Sequence, residues 1–134
     1  MSTRANATFV VKSWDEKPYH EAEGEAKLTR ATVAKSFSGD LEGEGVVEYL
    51  MCHGKDGTAS FVGLERIEGT LGGRSGSFIL EHRGTFAGGT ADTKWTVVPG
   101  SGSGELDGLQ GEGGFASAHA ESYEMVLDYE FKES

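Results

Sequence analysis

The chain has 134 residues, 12 Lys and Arg against 22 Asp and Glu for a formal charge of −10, and 21 glycines beside only two prolines. The length suits a single domain over residues 1–134, and basic residues scattered singly offer no stripe to follow a phosphate backbone, so nucleic acid is excluded as an expected partner. Apolar runs of a few residues exclude a membrane-spanning helix; with no apolar signal segment at the N-terminus and a lone Cys52, a cytoplasmic location is expected.

In chain order, turn signals divide the sequence into eight extended segments: 5–15, 28–38, 41–53, 58–71, 74–87, 90–98, 108–120 and 122–131. Short links such as Ser38-Gly39-Asp40, Gly72-Gly73 and Gly88-Gly89 suit hairpins, so consecutive segments should pair antiparallel. Two stretches stand apart: a polar one from Lys17 to Lys27, with room for one or two helical turns over Glu21 to Leu28, and a Gly-Ser loop from Pro99 to Asp107. Either is placed to cover an open end of the fold. The fold class is all-β, and a meander of eight strands is expected to close into an antiparallel β-barrel, which removes the exposed edges a sheet would leave.

Alternation assigns faces. Gly43, Gly45, Val47, Tyr49 and Met51 line one side of the third segment, and Tyr123, Met125, Leu127, Tyr129 and Phe131 one side of the last, opposite rows of carboxylates. In the fourth and fifth segments the apolar rows are Phe61, Gly63, Glu65, Ile67, Gly69, Leu71 and Phe78, Leu80, His82, Gly84, Phe86. Each is broken by one ionisable residue. Glu65 among apolar neighbours should lose hydration, rise in pKa and serve as an acid or base; His82, nearly opposite across the hairpin, should be its partner. Tyr49, Phe61, Phe78, Trp95, Tyr123 and Tyr129 are the expected walls of a ligand cavity, and a tyrosine hydroxyl there can donate to a developing oxyanion. The structural alternatives stay open: Glu65 paired to a neighbouring strand's Arg or Tyr, His82 satisfied by one hydrogen bond, and aromatics that only fill the core. No metal site is expected, because Cys52 and His53 face opposite ways in a strand and His20, His82 and His119 lack ligand spacing; His119 and Glu121 share a face without completing a set. Val46, Leu50, Val62 and Leu64 alternate onto the outer face and make a homo-oligomeric contact a further expectation.

The runs Lys12-Ser13-Trp14-Asp15, Phe37-Ser38-Gly39-Asp40-Leu41-Glu42-Gly43, Gly69-Thr70-Leu71-Gly72-Gly73-Arg74-Ser75-Gly76-Ser77-Phe78, Gly84-Thr85-Phe86 and Gly100-Ser101-Gly102-Ser103-Gly104-Glu105-Leu106 resemble a bacterial family of unknown function, the DUF3224 proteins, over nearly the whole chain. That resemblance implies an eight-stranded barrel like those of allene oxide cyclase and the dirigent proteins. Those barrels bind an apolar substrate and steer cyclisation or coupling without a metal or organic cofactor, and no catalytic residue transfers position by position. The combined expectation is a barrel that binds a small apolar molecule, with cofactor-independent cyclase or isomerase activity as its extension and, as alternatives, a non-catalytic carrier or sequestering protein for an apolar ligand or an oligomeric structural or interaction module.

Overall fold

A computed structural model describes residues 2–118 and 122–132. His119 and Glu121 lie outside them. The described strands are β1 (Thr3–His20), β2 (Lys27–Gly39), β3 (Leu41–His53), β4 (Ala59–Leu71), β5 (Arg74–Ala87), β6 (Thr90–Val97), β7 (Ser103–Gly104), β8 (Leu109–Ala118) and β9 (Tyr123–Phe131). Neighbours pair antiparallel in the order β1, β2, β3, β4, β5, β6, β8, β9, and β9 returns to β1, so eight strands close a barrel while the two-residue β7 pairs with the start of β5. Among the described residues no helix is long and apolar enough to cross a membrane.

Predicted and observed strand limits agree closely, with two departures. The stretch from Lys17 does not leave the sheet: β1 runs on to His20, paired with β2 from Pro18↔Thr29 to His20↔Leu28. Pairing of β1 to β9 stops at Phe9↔Tyr123, so this extension has β2 as its ladder partner, and a proline without an N–H is tolerated on such a strand. The helical turns allowed for residues 21–28 are instead a single turn closed by Glu25 N–H donating to the Ala22 carbonyl at 3.2 Å.

The loop after β6 behaves as its composition suggests. It folds across the lower end, where Leu106 is fully buried and Glu105 N–H donates to the Ser75 carbonyl at 2.9 Å. Leu106 completes a core of Leu41, Ile67, Leu71, Phe78, Leu80, Val97, Leu109 and Leu127 that fills the lower half of the barrel. A smaller cluster, including Ala31, Val33, Val47, Tyr49, Met51 and Phe61, lines the upper half. Val46, Leu50, Val62 and Leu64 are exposed on the outer face of β3 and β4, as alternation requires.

Inward glycines sit opposite large rings in the strand register: Gly43 faces Phe37, Gly63 faces Tyr49, Gly84 faces Phe61, and Gly113 faces Trp95. The Tyr49 ring lies against the bare backbone of Gly63 and the Phe61 ring against that of Gly84, a way to pack aromatics inside a narrow, strongly curved barrel. At Gly63 a side chain would meet the Glu48 carbonyl oxygen at 2.5 Å and the Tyr49 ring at 2.8 Å, so that position is confined to glycine by the neighbouring strand's backbone and ring together.

Candidate functional site

Four polar side chains meet at mid-height inside the barrel, and glycines on the intervening strands let them do so. Lys35 on β2 is in register with Gly45 on β3, and beyond Gly45 lies the β4 segment carrying Glu65. Lys35 Nζ stands 3.5 Å from Glu65 Oε2. Tyr49 on β3 and His82 on β5 are both in register with Gly63 on β4, and the Tyr49 hydroxyl lies 3.3 Å from His82 Nδ1. The link between the two pairs is His82 Nε2 to Glu65 Oε1, at 2.7 Å. The register corrects one expectation: Glu65 faces Leu80 and His82 faces Gly63, so acid and base are diagonal rather than opposite. The reason is the turn, a two-residue Gly72-Gly73 loop with both φ positive, which centres the hairpin earlier than a turn at Arg74 would.

Partners assign the protons. A carboxylate only accepts, so His82 Nε2 carries the hydrogen given to Glu65, and Nδ1 accepts from the Tyr49 hydroxyl. Glu65 and His82 are fully buried and Lys35 is 3% exposed. Burial alone raises the Glu65 pKa, as the sequence led one to expect, but the Lys35 charge and the His82 hydrogen bond outweigh it and hold the carboxyl below its ordinary value. Glu65 is thus an ion-paired carboxylate, and the raised pKa expected of it as an acid or base in an apolar row is corrected to a lowered one. Burial pushes the Lys35 ammonium down, and Glu65 only partly restores it. Burial keeps His82 neutral as well, and burial with the Glu65 charge raises Tyr49, which stays a hydroxyl.

Above this network the barrel holds an open-mouthed cavity of about 420 Å³. Of the expected wall residues, Tyr49, Phe61 and Tyr123 line it, joined by Phe9, Val33 and Phe115. Phe9 ties the aromatics together, with ring centroids 5.0 Å from Tyr123, 5.1 Å from Phe115 and 5.6 Å from Phe37. Phe78, Trp95 and Tyr129 are not among the lining residues. Phe78 belongs to the lower core opposite Ile67, and Tyr129 packs against Phe131 near that end. Trp95 stands behind the site, its ring 5.2 Å from His82 and its indole N–H donating to the Val126 carbonyl at 3.3 Å. Glu65 and His82 also lie behind the wall, and Lys35 and Tyr49 are the members of the network that reach the cavity lining.

Lys35 is the residue sequence reasoning missed. Among the described residues its ammonium has one polar neighbour, Glu65 Oε2 at 3.5 Å, at the limit of a hydrogen bond; it lies over the Phe9 ring, 4.6 Å from the centroid, and Thr93 Oγ1, also on the cavity wall, is buried without a partner. At the mouth stands a second carboxylate cluster. Glu16 accepts from the Trp14 indole at 2.9 Å, from the Thr29 hydroxyl at 2.7 Å and from His53 Nε2 at 2.9 Å. Partial burial raises its pKa, but these donors hold it below the ordinary value.

The buried network fixes the acid response of the fold. His82 is held below its ordinary value of 6.5 and Glu65 below 4.5, so on acidification the unfolded chain takes up protons that the folded chain refuses. Their stabilising contribution is present above those values and is lost as the pH falls through the lower folded ones. Urea unfolding at stepped pH should therefore show stability declining below about 6.5, with a second decline below about 4.5 that Glu65→Gln lessens and Glu16 in part retains. A pH profile shared by the parent and Glu65→Gln would show that Glu65 is not paired in solution.

Comparison with known proteins places the chain. The family described as a protein of unknown function, DUF3224, matches residues 5–129. Among solved structures, a protein of unknown function of the DUF3224 family from Shewanella oneidensis MR-1 is similar at 30% identity and a TM-score of 0.82, covering 99% of this chain and 100% of that one. No curated protein matches. With a family match over most of its length and a barrel superposing on a member's, the chain belongs to the DUF3224 family.

Proposed function

We propose that this barrel binds a small, largely apolar molecule carrying one polar acceptor group, held in the upper cavity with that group toward Lys35. The observation that supports this reading most is a buried ammonium, with a single long contact to Glu65 at 3.5 Å and no other acceptor among the described residues, beneath an aromatic cavity of about 420 Å³. Such a volume falls within the ~300–1,000 Å³ of small-molecule sites, and few convergent polar groups in an apolar lining are their usual construction. A buried cation with one ion-pair contact is costly to keep, and an acceptor on a ligand would offset that cost. Thr93 Oγ1 offers a second polar contact.

The test uses the two tryptophans of the chain, Trp14 at the mouth and Trp95 behind the site. Small aromatic acids and alcohols should quench their fluorescence saturably, and native mass spectrometry of protein from its own host should show a retained ligand. Val33→Phe, which pushes a ring into the cavity, should abolish both. Absence of quenching across such a series, with no retained ligand, would overturn the binding reading.

A catalytic extension, cofactor-independent isomerisation or cyclisation, is favoured by one observation. The chain Lys35, Glu65, His82, Tyr49 begins and ends on the cavity wall, with its two middle members connected at 2.7 Å behind it. Such a chain can hold a proton donor at the wall while another charge develops nearby. In this reading Glu65 and His82 position Lys35 and Tyr49 and do not touch the substrate. Glu65→Gln should then keep ligand affinity and lose turnover; equal turnover would remove Glu65 from the mechanism and leave the carrier reading.

A further inference from the structure

We propose that Lys35 captures carbonyl compounds, forming a protonated Schiff base with a small apolar aldehyde or ketone in the cavity, with Glu65 as its counter-ion. This rests on the binding reading above and narrows its ligand to one functional group. The geometry supplies what the reaction needs. The amine lies under an apolar cavity, has a carboxylate at 3.5 Å to take a proton, and has no other hydrogen-bond partner among the described residues that would have to be given up. The other lysines, Lys12, Lys17, Lys27, Lys55, Lys94 and Lys132, are exposed or half-buried and lack this combination.

The step balances without an outside reagent. Lys35 passes one ammonium proton to Glu65 Oε2, and the freed lone pair adds to the carbonyl carbon as the C=O π pair moves to oxygen. Transfer of a second proton from nitrogen to that oxygen gives a neutral carbinolamine. Glu65 then returns its proton to the hydroxyl, the C–O bond breaks, water leaves, and the nitrogen lone pair closes the C=N bond. The product is an iminium cation beside a carboxylate, the same charge pair that the free protein holds. A charged adduct therefore needs no new buried counter-ion, which an apolar site would otherwise disfavour strongly. Burial also assists the opening step, since it disfavours the ammonium relative to the amine.

The probe is p-anisaldehyde with cyanoborohydride, and the non-reactive competitor is p-anisyl alcohol. At low aldehyde, the protein should gain one adduct whose mass is that of the aldehyde less one oxygen, mapped to Lys35 and blocked by excess alcohol. Lys35→Arg keeps a cation opposite Glu65 but cannot form an imine, and should lose that adduct while still being quenched by the alcohol. In the unreduced adduct, Glu65→Gln should lower the pH at which the iminium absorbance is lost, because its counter-ion is gone. Quenching by the alcohol with adducts only on surface lysines would overturn the Schiff base and leave binding intact. Neither quenching nor a Lys35 adduct would overturn both.

Discussion

Lys35→Met is expected to destabilise the fold by about 3–5 kcal/mol, a large share of the stability of a domain this size, because it leaves the Glu65 carboxylate buried without its cation. Methionine keeps much of the volume of the lysine stem, so the loss is not one of packing. His82 cannot make it good. Its Nε2–H already donates to Glu65 Oε1, and placing a positive charge on its neutral ring is opposed by burial. The carboxyl should respond by taking a proton, and the acid limb of the stability profile should move upward in pH. Adding Glu65→Gln to Lys35→Met removes the stranded charge and keeps an oxygen for His82, so the double variant should regain most of what the single one loses. Urea unfolding of the four proteins in this cycle yields the coupling directly. A cost for Lys35→Met below about 1 kcal/mol, the range of a solvated ion pair, would show that the two groups do not share a dry interior.

The same pair shows how far the site was legible in the sequence and where it stopped. Glu65 and His82 could be read because each interrupts a row of large apolar residues, Phe61 to Leu71 and Phe78 to Phe86, whose opposite rows differ in character. Lys35 interrupts such a row too: Thr29, Ala31, Val33, Lys35 and Phe37 all point inward. Here the opposite row is Leu28, Arg30, Thr32, Ala34 and Ser36, and two rows of small mixed residues give alternation little contrast. Height along the barrel was not readable either. Alternation assigns Phe78, Trp95 and Tyr129 to a face, but whether a residue falls in the filled half or at the cavity depends on the shear of the closed sheet and on Leu106 plugging one end. At the mouth the obstacle was a bulge. Between Val11 and Ser13 the register of β1 slips by one, so the inward row passes from Phe9 and Val11 to Trp14 and Glu16, and unbroken parity assigns those residues outward.

Gly45→Ala should destabilise the protein by about 1–3 kcal/mol, the reverse of what an added methyl does in a strand with free space. Gly45 pairs with Lys35 on one side and with Ile67, two residues from Glu65, on the other, and a Cβ built there lies 2.6 Å from Glu65 Oε2 and 2.9 Å from the Phe37 ring. Strand geometry fixes the direction of that Cβ, so the carboxylate and the ring must yield, and the carboxylate yields by giving up its place 3.5 Å from Lys35. The effect therefore belongs to the polar network as well as to packing. In a Glu65→Ala background the space is vacated, and the same substitution should cost less, the remainder coming from Phe37. Thermal or urea unfolding of the four proteins measures this coupling, and capture of an aldehyde at Lys35 should fall in Gly45→Ala in parallel with the disturbed pair. A Gly45→Ala protein as stable as its parent would mean that the space between Lys35 and Glu65 is wider than 2.6 Å implies, and that their pairing does not depend on a bare backbone at this position.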